Sequence, residues 1–383
     1  MSSVLIGMVG DVLVNRDDPM EVFSEVRDIL KAPDVLFANL ECAYTDNPRP
    51  VPSAPVIVTA PAHNLDVFAQ VGFNVMSMAN NHIVDGGHEA MLETRARLKL
   101  QGVRTCGAGI SAVEAHEPAI VDAQGLRVGF LAYCCAFPNG YEARSKMPGL
   151  APMRAYRYWR DADPTEVSGL PELITLPDQN DLAALTKDIE RARESADLVV
   201  TSFHWGDYTR RFHLTEHEKR TARYCIDQGA DMVIGHHHHV LRGIEWYKGK
   251  PIFYGLGHFA FELRWEWSED LLAVIAAYEQ ASDACYTIAP REGWPLLPMH
   301  EDARMTMLAW ARAGRAGISE VGFLPCRLTP DGRVRPLDLT SRESAEVIAY
   351  LNQCNSTQGI KSVIVPTDTV VLSGFKTLAV VPA

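Results

Sequence analysis

The sequence predicts an α/β protein built on a largely parallel or mixed sheet, and three observations carry that prediction. Over the first two-thirds of the 383 residues, short apolar runs alternate with helical stretches. Each cluster of His, Asp, Glu or Asn falls just after an apolar run, at the strand ends where open α/β sheets bind ligands. A composition that is 47% hydrophobic is enough for a sizeable core.

The elements follow in order. SVLIGMVGD reads as a strand ending in a polar turn, PMEVFSEVRDILKA as a helix and DVLFANLE as a second strand. PAHNLDVFAQVG is a helix, FNVMSMANNH a strand and turn, and GHEAMLETRARLKLQG a helix closed by Gly102. RVGFLAYCC adds a strand, and the helix NDLAALTKDIERARESA leads into the strand DLVVTSFHWGD. A further helix, LTEHEKRTARYCIDQG, feeds ADMVIGHHHHV, and KPIFYGLGHFAF closes the series.

Residues 137–178 are rich in Pro, Arg and aromatics and show no clean period. So long a connection is either a substrate-covering insertion or surface elaboration. Beyond Glu262, WSEDLLAVIAAYEQ, HEDARMTMLAWARAG and RESAEVIAYLNQC read as helices, and GFLPCRLTPDGRVRPLDL as a hairpin turning at Asp331-Gly332. The expected organisation is a catalytic domain over 1–262 and a helical and hairpin extension, 263–383, packed on it.

A formal charge of −12 argues against a nucleic-acid backbone as partner. Eight scattered cysteines without a CxxC pair read as reduced thiols. The N-terminus has no basic region of the signal-peptide kind, and no apolar run approaches the roughly 18 residues of a membrane helix. The expectation is a cytoplasmic protein with no membrane partner, its oligomeric state left open.

The strongest chemical signal is GHHHHV, in which a His-x-His pair, His237 and His239, on extended backbone would present two imidazoles to one metal. His204, after DLVVTSF and before Trp205, reads as a third imidazole or as a core histidine. Asp11 and Glu41 end the first two strands; each alone could cap a helix, but together with imidazoles they match the ligand set of Zn, Mn or Fe. ANNHIVDGG offers Asn81 as a neutral oxygen ligand and His82, held by Asp85, as a general acid or base, or it is simply an Asn-rich turn. The run from Arg154 through Arg157 to Arg160 either clamps an anionic substrate group or is a solvated loop.

GDVLVNR, ANLECAYTD, MANNHIVDGG, SFHWGDY, GADMVIGHHHHV and PIFYGLGHF occur in that order between about residues 4 and 262. On these six motifs the chain resembles the bacterial capsule-synthesis, CapA-like (poly-γ-glutamate synthesis, PGA_cap) family, a relative of calcineurin-like metallophosphoesterases. The resemblance implies a four-layer α/β/β/α sandwich whose strand-end loops hold one or two divalent metals. Asp11, Glu41, Asn81, His204, His237 and His239 would be ligands, and His82 the histidine that protonates a leaving group. Three departures accompany it: Leu13 replaces the His of Asp-x-His, which implies a weakened or empty metal position; His238 replaces the Pro of His-Pro-His; and His258 replaces the Asn of Ser-Leu-Gly-Asn-Phe. His258 is then a ligand, an acid or base, or a stand-in for the amide.

The leading expectation is a metal-dependent hydrolase of a phosphoester or amide bond, acting on a small-molecule or peptide substrate, with Arg154, Arg157 and Trp205 as substrate contacts. The alternatives are a metal-assisted peptide Cα epimerase using Asp11 and His258, and a non-catalytic part in capsule or polyglutamate assembly.

Overall fold

The computed structural model describes residues 3–161, 165, 171–265, 267–281 and 286–383. The strands that carry the motifs are β1 (Val4–Leu13), β2 (Val35–Leu40), β3 (Val75–Ser77), β4 (Leu126–Cys134), β5 (Leu198–His204), β6 (Met232–His236) and β7 (His258–Phe261). Nearly every residue of these strands is buried, because each sheet is covered on both faces.

β1, β2 and β3 run parallel in a ten-stranded sheet, and β4, β5 and β6 run parallel in a six-stranded one. Alternate side chains of β4 show how the sheets are sandwiched. Val128, Phe130, Ala132 and Cys134 join the core shared with β1 and β2, whereas Leu131 and Tyr133 join an outer core with the helix residues Leu185, Ile189 and Ala222. Helix residues Val67, Phe68 and Met91 pack on the other sheet. The architecture is therefore the four-layer α/β/β/α sandwich.

β1 holds the centre. Its first half pairs antiparallel with β8 (Met305–Gly314), its second half pairs parallel with β7, and its other edge pairs with β2. The register sets Asp11 beside Asn39 on one side and beside His258 on the other. KPIFYGLGHFAF is thus two strands: Lys250–Phe253 lies in the six-stranded sheet, and β7 lies in the other. Gly257, at φ 64°, turns the chain between them.

Two predicted helices are corrected. HEDARMTMLAWARAG contributes β8, between β1 and β9 (Gly317–Leu328). Its Ala, Met and Leu content favours a helix, but a strand buried on both faces shows no period-2 alternation to reveal itself. PMEVFSEVRDILKA divides into a 3-10 turn, Pro19–Phe23, and a four-residue helix, Arg27–Leu30. The tail continues the first sheet through β8, β9 and the hairpin Ser362–Leu372 with Phe375–Pro382, where the expectation had only an extension packed on the domain. The predicted helices Glu269–Ala281 and Arg342–Thr357 and the turn at Asp331-Gly332, which pairs β9 with Val334–Pro336, are present.

Within 137–178, Ala155–Arg160 and Glu172–Pro177 form a separate two-stranded arm, with Arg157 in register with Thr175. The arm packs on the helix Glu216–Asp227. Residues 162–164 and 166–170 of that segment lie outside the described residues. No helix among the described residues is long and apolar enough to cross a membrane.

Phe37 of β2 and Phe130 of β4 stack between the sheets, ring centroids 5.2 Å apart and both fully buried. Phe37→Ala is expected to lower unfolding free energy by about 3–5 kcal/mol, measured by guanidinium denaturation. A loss below about 1 kcal/mol would mean that the sheets do not meet there.

Candidate metal centre and its cavity

The site is built where β1, β2, β5 and β6 end and β7 begins. Gly10 lets β1 come against the loop before β7: a Cβ there would lie 1.9 Å from the Gly257 carbonyl oxygen. That contact carries Asp11 into the interior, where it is fully buried. Asn39, two residues before Glu41 and hence on the same side of the extended chain, donates through Nδ2 to Asp11 Oδ1 (2.9 Å) and to Glu41 Oε2 (2.5 Å). One amide clamps both carboxylates.

The imidazoles arrive from the other sheet. His204 ends β5, its Nε2 lying 2.7 Å from Asn81 Oδ1, 3.0 Å from His237 Nδ1 and 3.6 Å from Glu41 Oε1. His239 Nδ1 is 2.7 Å from His258 Nε2. Two donor groups result, Asp11 with Glu41 and His204, and Asp11 with His239 and His258, the ligand atoms of each lying within 4.8 Å of one another. The structure thus brings together all six expected ligands and adds His258.

The residues present fit divalent ions. Glu41 Oε1 and His258 Nδ1 are buried without a hydrogen-bond partner, and lone pairs of imidazole, amide and carboxylate converge with few protons to place between them. Leu13 leaves β1 without a second donor, and His258, beside Asp11 in register, supplies an imidazole to the same cluster. The carboxyls are driven apart. Burial and the neighbouring Asp11 push Glu41 well above the usual range; burial would also raise Asp11, but His236, His258 and Asn39 hold it below. Burial and adjacent imidazoles push His204 and His239 well down, and burial takes His237 and His258 down to about 4.

The expected extended geometry of His237 and His239 is corrected. Both have positive φ, 87° and 62°, and sit in a tight turn after β6 that brings their rings to 6.0 Å. Non-glycine residues in this region are strained and cluster at functional sites. The turn sends His238 the other way, to Glu218 Oε1 (2.7 Å), and this pairing against burial holds the Glu218 carboxyl at about 2. His238 thereby fastens the turn to the helix behind it.

His82 and Asp85 lie on the loop after β3. Asp85 Oδ2 accepts from His82 Nδ1 (2.7 Å) and from the Val58 amide (2.9 Å), while Oδ1 accepts from the Tyr141 hydroxyl (2.7 Å). His82 lines a cavity of about 920 Å³ that also reaches His237 and His239. Arg157 lines it as well, from the arm. Arg154 and Trp205 do not. Arg154 is paired with Asp181 at 2.8 Å, and Trp205 is wholly buried in the outer core, stacked on Phe203 with its Nε1 donating to the Tyr254 carbonyl.

Sequence reasoning missed three residues. Asn39 was detectable, since Asn-x-Glu on one strand puts both side chains on one face. Asn80, which donates to the Leu40 carbonyl and to Asn39, was hidden behind its neighbour Asn81. His236, whose Nδ1 lies 3.2 Å from Asp11 Oδ1, was indistinguishable within a run of four histidines.

A four-layer α/β/β/α sandwich with carboxylates, an amide and imidazoles gathered at its strand ends is a fold with a candidate metal centre. The chain belongs to the bacterial capsule synthesis protein PGA_cap family, which it matches over residues 5–263. It is 27% identical over 274 residues to the PGA biosynthesis protein CapA of Bacillus subtilis (strain 168), covering 70% of this chain and 64% of that protein. It is 28% identical over 303 residues to the capsule biosynthesis protein CapA of Bacillus anthracis, covering 75% and 68%. The chain thus spans about two-thirds of the length of these relatives. Among solved structures, a hypothetical protein from Thermus thermophilus aligns with a TM-score of 0.41 at 14% identity, covering 87% of this chain and 98% of that one.

Because folding holds His237 and His258 neutral down to about 4, the unfolded chain binds protons on them first, below roughly 6.5. Their contribution to stability is present above that value and is lost as pH falls through the window to about 4. The unfolding midpoint of the chelator-treated protein is expected to drop between pH 7 and 5, more steeply than in His258→Asn. Identical slopes would show that His258 is not held neutral by the fold.

Proposed function

We propose that this chain is a metal-dependent hydrolase of phosphoester or amide bonds, carrying one or two Mn, Zn or Fe ions on Asp11, Glu41, Asn81, His204, His237, His239 and His258. The observation that carries the reading is the His82–Asp85 pair, an imidazole aligned by a buried carboxylate, lining the same cavity as Asn81, His237 and His239 of the donor cluster. Ions held there would supply Lewis acidity and acidify a water towards a pKa of about 7. Asp85 accepts a hydrogen bond from His82 Nδ1–H and would stabilise an imidazolium; Nε2, which accepts from the Asn81 Nδ2 amide at 3.0 Å in the neutral ring, is the nitrogen that would take up a proton and pass it to the leaving group once that contact opens. Asn81 joins the two parts, its Oδ1 at His204 and its Nδ2 at His82.

A second reading, inversion at a peptide Cα, is favoured by one observation: Asp11 and His258 lie side by side in register on adjacent strands. Two such groups could remove and return a proton.

The two readings separate in D₂O, with p-nitrophenyl phosphates and a peptide panel incubated with the metal-loaded protein. Cleavage that falls roughly 10²–10⁴-fold in His82→Asn at unchanged metal content supports hydrolysis. A one-dalton gain without cleavage, lost in His258→Asn, supports epimerisation and sinks the hydrolase.

A further inference from the structure

The loop after β5 packs against the histidine turn at two places. Gly206, at φ 90°, passes so close to the buried His238–Glu218 pair that a Cβ there would lie 2.2 Å from His238 Nε2 and 2.7 Å from Glu218 Oε1. Two residues later the ring of Tyr208 stands against both imidazoles that face the cavity. Its centroid is 5.6 Å from that of His237, with the planes at 87°, and 5.5 Å from that of His239, at 65°. Both are edge-to-face contacts, and all three side chains line the cavity.

The loop is itself held in place. Asp207 Oδ1 accepts from the Thr209 amide (2.8 Å) and hydroxyl (2.6 Å), and Oδ2 from Arg210 Nε (2.6 Å); against burial, these bonds hold the Asp207 carboxyl at about 2. The guanidinium of Arg242, only 1% exposed, donates through Nη2 to the carbonyls of Asp207 and Arg210, both at 2.9 Å. Its Nε and Nη1 have no partner, so the bonds to this loop are the whole of its pairing. The Thr209 carbonyl accepts from the Tyr286 amide (3.0 Å). The carbonyls on either side of Tyr208 are thereby fixed, and the ring cannot leave the turn by backbone motion alone.

Imidazoles that bind a metal are commonly oriented by a carboxylate or a backbone carbonyl on the other ring nitrogen. Among the described residues neither His237 nor His239 has such a bond; their Nδ1 atoms meet other imidazoles, His204 Nε2 at 3.0 Å and His258 Nε2 at 2.7 Å. Both also sit at positive φ, a conformation that persists where the surroundings over-determine it. We propose that Tyr208 is the positioning residue of this turn: its ring, on the loop held by Arg242, takes the part of the missing carboxylate and fixes the planes of both imidazoles so that their lone pairs stay aimed at an ion. The role rests on His237 and His239 being ligands and deepens that reading, whichever bond the centre attacks.

The test is cobalt(II) alone, titrated into the chelator-treated full chain and followed by equilibrium dialysis and by the visible ligand-field spectrum. Tyr208→Phe keeps the ring and should match the wild type in affinity and spectrum. Tyr208→Leu, with unchanged far-UV circular dichroism, should bind roughly 10- to 100-fold more weakly with an altered spectrum. Tyr208→Met takes its place if the leucine chain does not fold. Wild-type affinity and spectrum in the leucine or methionine chain would overturn the role, and so would a phenylalanine chain as weak as the leucine one, which would hand the effect to the hydroxyl. Cobalt absent from the wild type, or indifferent to His237→Ala, would remove the metal centre and the positioning role together. Binding lost in His237→Ala but intact in Tyr208→Leu would remove the positioning role alone.

Discussion

Everything in this molecule is arranged around a carboxylate that should not be where it is. Asp11 is fully buried, and burial of an ionised group costs several kcal/mol unless something compensates. The compensation comes from both sheets: Asn39 from the neighbouring strand, the His237 amide at 3.4 Å and His236 from across the sandwich. Glu41 cannot be ionised on the same terms, and its pKa moves the opposite way. Two carboxyls on one amide with opposed shifts, beside the depressed imidazoles of His204, His237, His239 and His258, gather little positive charge of their own. A dication would supply it, releasing the Glu41 proton as it bound. The demand for a cation is thus built into how β1 and β2 pair.

The same junction explains the long C-terminal tail. β7 occupies only the second half of one edge of β1, alongside residues Asp11 to Leu13. The first half would remain an open edge inside the protein, with backbone groups unpaired. β8 closes it from Val4 to Met8, more than forty residues later in the chain. That is the physical reason the tail is woven into the sheet, and it ties the position of His258 to strands remote in sequence.

Most of the donor cluster was legible because each strand announces itself by an apolar run and most donors follow one. Asp11, Glu41, His204 and the histidine turn could be placed at one sheet edge from that pattern alone. What stayed hidden depended on register. That His258 lies beside Asp11, that Trp205 points into the outer core, and that Arg154 turns from the cavity to Asp181 are consequences of pairing and of side-chain direction, which composition does not encode. β8 was misread for a related reason. In a doubly covered sheet the polar half of the strand alternation disappears, and an Ala-, Met- and Leu-rich strand then looks like a helix.

The cavity is asymmetric in a way that bears on both proposed chemistries. At one end stand the donor cluster and His82; elsewhere its lining carries apolar and aromatic side chains, including Phe137, Phe261 and Trp265, and the arm brings Arg157. A space of about 920 Å³ lies in the upper range for a ligand site, and it exceeds what a small phosphate ester would fill. Apolar walls bind through area, and Arg157 is a cationic group of the arm on the same lining. If the cavity holds the substrate as proposed, the arm contributes to its selection and the strand ends to its chemistry. The arm is a separate two-stranded sheet, so its sequence can change without disturbing the pairing that keeps Asp11 buried.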